Sequence, residues 1–567
     1  MNTAAETNWN KLNENFAVSG QISLEDIPTI AAAGYKSIIC NRPDGEGDEA
    51  QPTSDVLKLA AEAAGLEFAY LPVVIGGVNA EKREAFQQLL KTLPEPVFAF
   101  CGSGKRATAL YAADEPAQTQ PPQQDTITDA CNWEGGTPET HTFTYQNSEP
   151  GVTPVIPACH WDNSFDIVVV GGGSAGIGVT ASLLKRRSSL RIAIIEPSDK
   201  HYYQPAWTLV GGGAFDQADT VRDMAAVIPE GAQWIQAAAA GFLPDNNLVQ
   251  LTDGRAISYQ QLIVCPGIRL AWEKIEGIEQ TLGKNGVTSN YRFDLAPYTW
   301  MLVRQLKNGK ALFTQPPMPI KCAGAPQKAM YLSCDYWQNQ SVLDKIDVEF
   351  DTATSVLFGV AEFVPPLMAY VNRYRARLAF NSNLVKVDGD RKLATFEVKD
   401  EHGQVTRIEK PFDMLHVTPP QAAPDFLRNS PLADSGGFCE VNPKTLQHTR
   451  FLNIFSLGDA CSSPNAKTAA AARKQIVIVA ENLLAAREGL EPKIIYDGYG
   501  ACPLTVENGK VILAEFGFGG KLLPSFPLDP TVARKFYWWL KVRFFPWLYW
   551  NAMLKGREWL ARSTGAD

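Results

Sequence analysis

The chain contains no run of roughly 18 apolar residues, so no segment is predicted to span a bilayer as a single helix. Its opening stretch, "MNTAAETNWNKLNENF", has neither a basic region nor an apolar core. That excludes the pattern of a secretory leader and predicts a reducing, cytosol-facing (cytoplasmic) location. Histidine is scarce: the six present do not cluster, and no pair has the spacing of a metal site. Cysteine is thin as well, since ten in 567 residues are too dilute for a disulfide framework. Positive charge does not dominate, and the net charge of −9 argues against general nucleic-acid binding. No internal repeat with a period of roughly 20–50 residues is visible. What is present reads as globular: 45% hydrophobic and 20% charged residues, in a chain long enough for two to four cores.

Composition changes near residue 113. Residues 114–163 are rich in Pro, Gln, Thr and Gly, with little periodicity, and read as a linker. Residues 1–113 alternate short apolar runs ("KSIICN", "PVFAFC") with segments of helical spacing ("TSDVLKLAAEAAG", "EKREAFQQLLKTL"). A large unit, 164–530, opens with a strand, a glycine turn and a helix, and an aromatic tail, 531–567, ends the chain.

The glycine turn is "GGGSAG", with Gly171, Gly173 and Gly176 in G-x-G-x-x-G spacing around Ser174 and Ala175. Its context supports a dinucleotide: "IVVV" precedes it, an apolar-faced helix follows, and "RIAIIEP" supplies a second strand ending in Glu196, placed to bond a ribose diol. "YQQLIVCPG", ending at Gly267, and "NIFSLGDA", containing Asp459, resemble the returning and late strands of the glutathione-reductase-like flavoproteins. "NAKTAAAARKQ" then starts a helix near Lys467 and Thr468, its positive end suited to an anionic reduced flavin. The cofactor implied is FAD.

Such flavoproteins carry a second glycine turn for a nicotinamide. Here the strand at 310–314 leads instead into "IKCAGAPQKAM", with Cys322 before a helix at 326–337. "HYYQPAWTLVGGG", "IKCAGAPQKAMYL", "MLHVTPP", "KTLQHTRFLNIFSLGDA", "NAKTAAAA", "YDGYGACPL" and "VILAEFGF" together resemble the sulfide:quinone oxidoreductases, over about residues 165–557. The resemblance implies oxidation of sulfide on a cysteine pair and transfer of two electrons through FAD to a ubiquinone-type quinone. The sulfane sulfur would go to a small thiol acceptor. Cys322 matches the family's sulfur-carrying cysteine, with Lys321 and Lys328 in reach to lower its pKa. Gln204, beside His201 in "HYYQP", matches a cofactor contact. The family's second cysteine follows Gly-Asp directly. That place is Ala460 here, so Cys461 is the expected partner and Cys265 its rival, with a one-cysteine mechanism using an external thiol as the alternative to both, while Cys334, Cys439 and Cys502 read as packing or surface thiols.

In "FAFCGSGKRAT" a buried strand ends at Cys101, and four residues separate it from Arg106. A loop of this kind cradles an anion and lowers the thiol pKa. Tyrosine phosphatases use one residue more, and the shorter count resembles the sulfurtransferases that hold a persulfide. Residues 1–113 resemble phosphatase-like domains fused to sulfide-handling proteins, which favours sulfur transfer over ester hydrolysis. Asp44 is the candidate acid for hydrolysis, whereas Asp44, Glu46, Asp48 and Glu49 together read as a solvated acidic loop.

The tail, "RKFYWWLKVRFFPWLYWNAMLKGREW", packs aromatics among Lys and Arg, with Pro546 expected to split it into two short helices. The pattern fits a membrane interface; a packed or homodimer-contact helix pair is the other reading. The expected fold is α/β: a small phosphatase-like domain, then two Rossmann-like folds of the glutathione-reductase type, then an amphipathic aromatic helical segment. An NAD(P)H-dependent flavin disulfide reductase, or a phosphatase module with a regulatory flavoprotein half, remain the alternatives.

Overall fold

The computed structural model describes residues 9–44, 46, 51–73, 80–102, 104–111 and 164–561. The sequence-defined linker, 114–163, lies outside the described residues. Two compact units divide the chain, Met1–Val155 and Ile156–Asp567.

The first unit is built on a five-stranded sheet in the order Asn10–Asn13, Phe16–Ser19, Val97–Phe100, Ser37–Cys40, Glu67–Tyr70. The first pairing is antiparallel and the rest are parallel. The runs "SIIC" and "VFAF" form its two innermost parallel strands and are buried throughout. Alternation sends Ile38, Cys40, Phe98 and Phe100 into one core and Ile39, Val97 and Ala99 into another, one on each face. Among the described residues, the unit's helices are Asp26–Ala32, Ser54–Ala63, Ala80–Thr92 and Lys105–Tyr111. The last of these begins four residues beyond Cys101.

The second unit holds two Rossmann-like sheets, as expected. In the first, parallel strands Ala232–Ile235, Ile192–Ile195, Ser164–Val170, Ala256–Val264 and Ile454–Ser456 carry the glycine turn at the end of Ser164–Val170. Helices Ser174–Arg186 and Ala469–Arg487 pack together against it. The second sheet runs Val287–Thr288, Met414–His416, Gly309–Gln315, Ile346–Thr352, Arg377–Ala379, all parallel. Strand Gly309–Gln315 leads through the Cys322 turn into helix Ala325–Asn339, against which the hairpin Gly500–Glu507/Lys510–Phe516 packs. No helix among the described residues is long and apolar enough to cross a membrane.

The tail differs from expectation in two respects. Pro546 does not split it: helical turns run continuously through Lys535–Trp539, the π-helical Leu540–Phe544 and Phe545–Asn551. The wide π turn ends two residues before the proline, which sits near the start of the next α turn, where its missing N–H matters least. Nor is the tail an appendage. Tyr549, Trp550, Met553 and Leu554 join the main core with Tyr203 and Ile476, and Arg186 pairs with both Glu558 and Glu481. Only one face looks outward, with Phe536, Trp539, Trp547 and Trp559 all exposed.

Candidate active site

The glycines of the turn are fixed by packing. Gly171 has φ +111, and a Cβ there would lie 2.4 Å from the Cys265 carbonyl oxygen; one on Gly176 would lie 1.8 Å from the Gly171 oxygen. At Gly173 nothing lies within 4 Å. That open side belongs to a cavity of about 460 Å³, lined at this end by Gly171–Ala175 and Glu196. Glu196 accepts from the N–H groups of Gly172 (2.8 Å) and Ser198 (2.9 Å), which pins its carboxylate beside the turn with lone pairs to spare. Gln204, Gly267, Asp459 and Lys467 line the same cavity. Lys467 Nζ donates to the backbone oxygens of Asp459 (2.8 Å) and Cys461 (3.0 Å), and burial pushes the Asp459 carboxyl up. Helix Ala469–Arg487, capped by the Thr468 hydroxyl, begins at this wall.

The lining also holds unpaired polar atoms. Trp207 Nε1, Thr208 Oγ1 and both amide atoms of Asn290 are buried without a protein partner. Orphaned groups of this kind are costly unless a ligand satisfies them. A glycine turn opening on a helix start, an acidic strand end and unsatisfied donors and acceptors together fit a dinucleotide such as FAD.

At the far wall stands Cys322, in the left-handed region at φ +51 and fixed by its N–H donating to the Lys467 oxygen at 2.8 Å. Lys328, fully buried, reaches its sulfur at 3.2 Å. The sulfur nearest it is that of Cys502, at 4.0 Å. The Cys502 thiol donating to Cys322 holds the Cys322 pKa well below the ordinary thiol value; burial opposes this, and the charges of Lys328 and Lys541 reinforce it. The Cys502 pKa moves the opposite way. The second lysine named from sequence, Lys321, instead donates to Gln204 Oε1 and lies 5.7 Å from the Trp207 ring.

The thiol expected beside Cys322 is therefore not the one found. Cys461 lies in the short turn after the late strand, its Sγ donating to the Gly458 oxygen at 3.3 Å; it is buried in the core, and burial pushes its pKa up. The one-residue displacement turns its thiol inward. Cys265 packs under the glycine turn, 3.7 Å from the Gly171 oxygen, also with its pKa raised by burial. Cys502, read as a packing or surface thiol, reaches Cys322 because Gly324 lets the hairpin close in: a Cβ there would lie 2.4 Å from Leu504 and 3.3 Å from the Cys502 sulfur. The signal was "YDGYGACPL" itself.

Sequence reasoning also missed two tail residues. Lys541 is buried, donates to the Pro205 oxygen at 2.8 Å and lines the cavity; burial and Lys328 bring its pKa down to about 7. Tyr549 OH is 2.9 Å from Ser174 Oγ and 2.6 Å from His201 Nε2, while His201 Nδ1 is 3.0 Å from the Gly172 oxygen. Burial takes His201 down to about 4, so the ring is neutral, donating to Gly172 and accepting from Tyr549.

In the first unit Cys101 is fully buried at the end of Val97–Phe100, and Arg106 interacts with its sulfur. Glu46 is not solvated: Arg106 donates to both its oxygens at 2.6 Å. Asp44 accepts from the Ser54 N–H (2.7 Å) and hydroxyl (2.6 Å), tying it to the start of a helix. Asp48 and Glu49 lie outside the described residues.

Comparison with known proteins matches both units to families. Residues 8–117 match the phosphatase-like domain of the beta-lactamase hydrolase-like proteins, and residues 165–303 match the pyridine nucleotide-disulphide oxidoreductases. The chain is 40% identical over 398 residues to the mitochondrial sulfide:quinone oxidoreductase of Mus musculus, covering 70% of this chain and 88% of that protein. It is 40% identical over 105 residues to the beta-lactamase hydrolase-like protein of Agrobacterium fabrum, covering 18% of this chain and 24% of that one. The crystal structure of the Aquifex aeolicus sulfide:quinone oxidoreductase superposes with a TM-score of 0.58 at 18% identity, covering 69% of this chain and 92% of that one.

Proposed function

The chain belongs to the sulfide:quinone oxidoreductase family, and from that premise we propose that it oxidises sulfide on the Cys322–Cys502 pair and hands two electrons through FAD to a membrane quinone. The observation that carries this reading is the thiol pair, 4.0 Å apart, with Lys328 3.2 Å from Cys322, and Cys322 itself on the wall of a dinucleotide cavity where a nicotinamide turn would otherwise stand. FAD is the enzyme's cofactor; bound, it supplies a two-electron acceptor that can pass electrons on to quinone.

In our reading Gly171, Gly173, Ser174, Ala175 and Gly176 seat the pyrophosphate, Glu196 the ribose, and Gln204, Gly267, Asp459 and Lys467 the flavin end. The protein's own chemistry is thiol exchange. Hydrosulfide attacks the Cys502 sulfur of the oxidised pair, and not Cys322, the carrier that the resemblance implies; an S–S bond forms, the Cys322–Cys502 bond breaks, and Cys322 leaves as thiolate. Exchange runs in that direction because the lower-pKa thiol leaves faster, and Lys328 holds that thiolate. A small thiol then takes the outer sulfur from Cys502. Two electrons leave the thiol pair and the S–S bond re-forms. The sum is HS⁻ + RSH + quinone → RSS⁻ + quinol. Lys541, near neutral at about 7, is placed to exchange a proton at this end of the cavity.

Membrane access follows from the tail. Phe536, Trp539 and Trp547 are exposed on one side of a basic segment whose other side is core, the pattern of a peripheral interface. We read the protein as held on the cytosol-facing membrane surface by this face, with a dimer contact as the competing use. The first unit, through Cys101 and Arg106, is read as a sulfurtransferase that handles the released sulfane sulfur. Purified protein should reduce a short-chain quinone with sulfide and not with NADH; the reverse preference would make it a pyridine-nucleotide reductase.

A further inference from the structure

Beside Cys101, two arginines converge on a carboxylate of their own chain. Arg106 grips Glu46 with both terminal nitrogens at 2.6 Å, and Arg42 Nε donates to the same carboxylate at 3.2 Å. A Cβ on Gly102 would lie 3.1 Å from Arg106 Nη2 and 3.7 Å from both Arg42 Nε and Glu46 Oε2. All three groups therefore meet over the residue that follows the thiol. The Arg106, Arg42 and Glu46 side chains are only 11%, 17% and 17% exposed, so this is a largely desolvated cluster and not a surface pair. Arg106 interacts with the Cys101 sulfur as well, so one guanidinium serves both thiol and carboxylate.

A two-oxygen anion held by a guanidinium fork is the arrangement in which arginine receives sulfonate or phosphate oxygens. We propose that Arg42 and Arg106 form a cradle for the tetrahedral oxyanion head of a small sulfur donor, and that Glu46 is its resident, displaceable occupant. The proposal rests on the sulfurtransferase reading of this unit and names the donor class, of which thiosulfate is the simplest member. The Cys101 thiolate attacks the outer sulfur of thiosulfate and forms a new S–S bond. The S–S bond of thiosulfate breaks, and sulfite leaves with the electron pair. Cys101 is left as a persulfide, with no external oxidant or reductant needed. The two guanidiniums face the oxygens on which charge grows as sulfite departs.

Two positive charges against one resident carboxylate leave a single net charge; removing the carboxylate leaves two, matched to a dianion. Inorganic phosphate presents the same head without a transferable sulfur. Ester hydrolysis is disfavoured because Asp44, the acid it would need, is committed to Ser54.

The test uses the full-length protein, with thiosulfate as donor, a small thiol as acceptor and inorganic phosphate as competitor. In the wild-type protein phosphate should compete with thiosulfate. Glu46→Gln should lower the KM for thiosulfate and the phosphate inhibition constant together, by about tenfold if the cradle is free in roughly one molecule in ten. Arg42→Ala should raise both by about tenfold. Thiosulfate binding to the Cys101→Ser variant, read by calorimetry, should follow the same order. Transfer that proceeds with no phosphate competition and an unchanged KM in both variants overturns the cradle and leaves the sulfurtransferase reading standing. Anion binding that responds to both variants without any sulfur transfer overturns that reading and leaves the cradle. Neither binding nor transfer overturns both.

Discussion

Replacing Lys328 with Met keeps the length and burial of the side chain and removes the charge that holds the Cys322 thiolate. At 3.2 Å the pair interacts by about 332/(20 × 3.2) ≈ 5 kcal/mol at an effective dielectric of about 20. That is an upper bound. Lys541, already near neutral at about 7, regains a proton when Lys328 no longer repels it, and Cys502 still donates to Cys322. With half the interaction recovered, the reactivity midpoint of Cys322 should rise by about two pH units, at 1.36 kcal/mol per unit. The sign follows from the direction of the shift. A depressed thiol pKa keeps the wild-type sulfur ionised down to that pKa, whereas the variant is protonated over the window the lysine had opened. The assay is alkylation of reduced protein by iodoacetamide as a function of pH, with Cys322 followed by peptide mass spectrometry. At pH values below both midpoints the variant should react about a hundredfold more slowly. An unchanged midpoint would show that Lys328 is only a packing element and that the thiolate owes nothing to it.

Three further outcomes follow. Cys502→Ser should retain FAD and lose sulfide-driven quinone reduction by more than about a hundredfold, since a hydroxyl carries no persulfide; Cys461→Ser should stay within about threefold of wild type, and a reversal of these two would restore Cys461 as partner. Trp539→Glu with Trp547→Glu should release the protein from anionic vesicles and raise the KM for long-chain quinone while FAD stays bound, whereas truncation after residue 530 should lose FAD, because Tyr549, Trp550, Met553 and Leu554 are core; a truncated protein that keeps its flavin would contradict this packing. Thermal stability should fall as pH drops from the ordinary histidine range towards 4, because His201 must stay neutral when folded at a pKa of about 4 while the unfolded chain takes up a proton; His201→Gln should flatten that dependence, and an unaltered pH profile would remove His201 from the account.

How far the sequence reaches depends on how local each signal is. The strand, turn and helix around Gly171 and Gly176 are legible because spacing, apolar runs and glycine occur within one short segment. Cys322 is legible for the same reason, since its place between a strand and a helix marks it. Cys502 is less so: its segment, "YDGYGACPL", carries part of the family resemblance, but its contact with Cys322 depends on a hairpin folding back onto Gly324. Closeness along the chain to Gly-Asp favours Cys461, but a short helical turn decides where its thiol points. Glu46 reads as solvated acid from its neighbours; its partner Arg106 lies on another element and reverses that reading. In the tail the aromatic and basic composition is plain from sequence, while the π turn at Leu540–Phe544 sets which rings face the core and which face outward.

The central claim is that sulfide oxidation takes place on the Cys322–Cys502 pair, with the sulfane sulfur carried by Cys502. Anaerobic titration of the FAD-loaded enzyme with sulfide, followed by trapping and peptide mapping, tests it most directly. One equivalent of sulfide should leave the trapped extra sulfur on the Cys502 peptide, and a small thiol added next should remove that sulfur and bleach the flavin absorption. An unbleached flavin, or an adduct on the Cys461 peptide instead, would contradict the account.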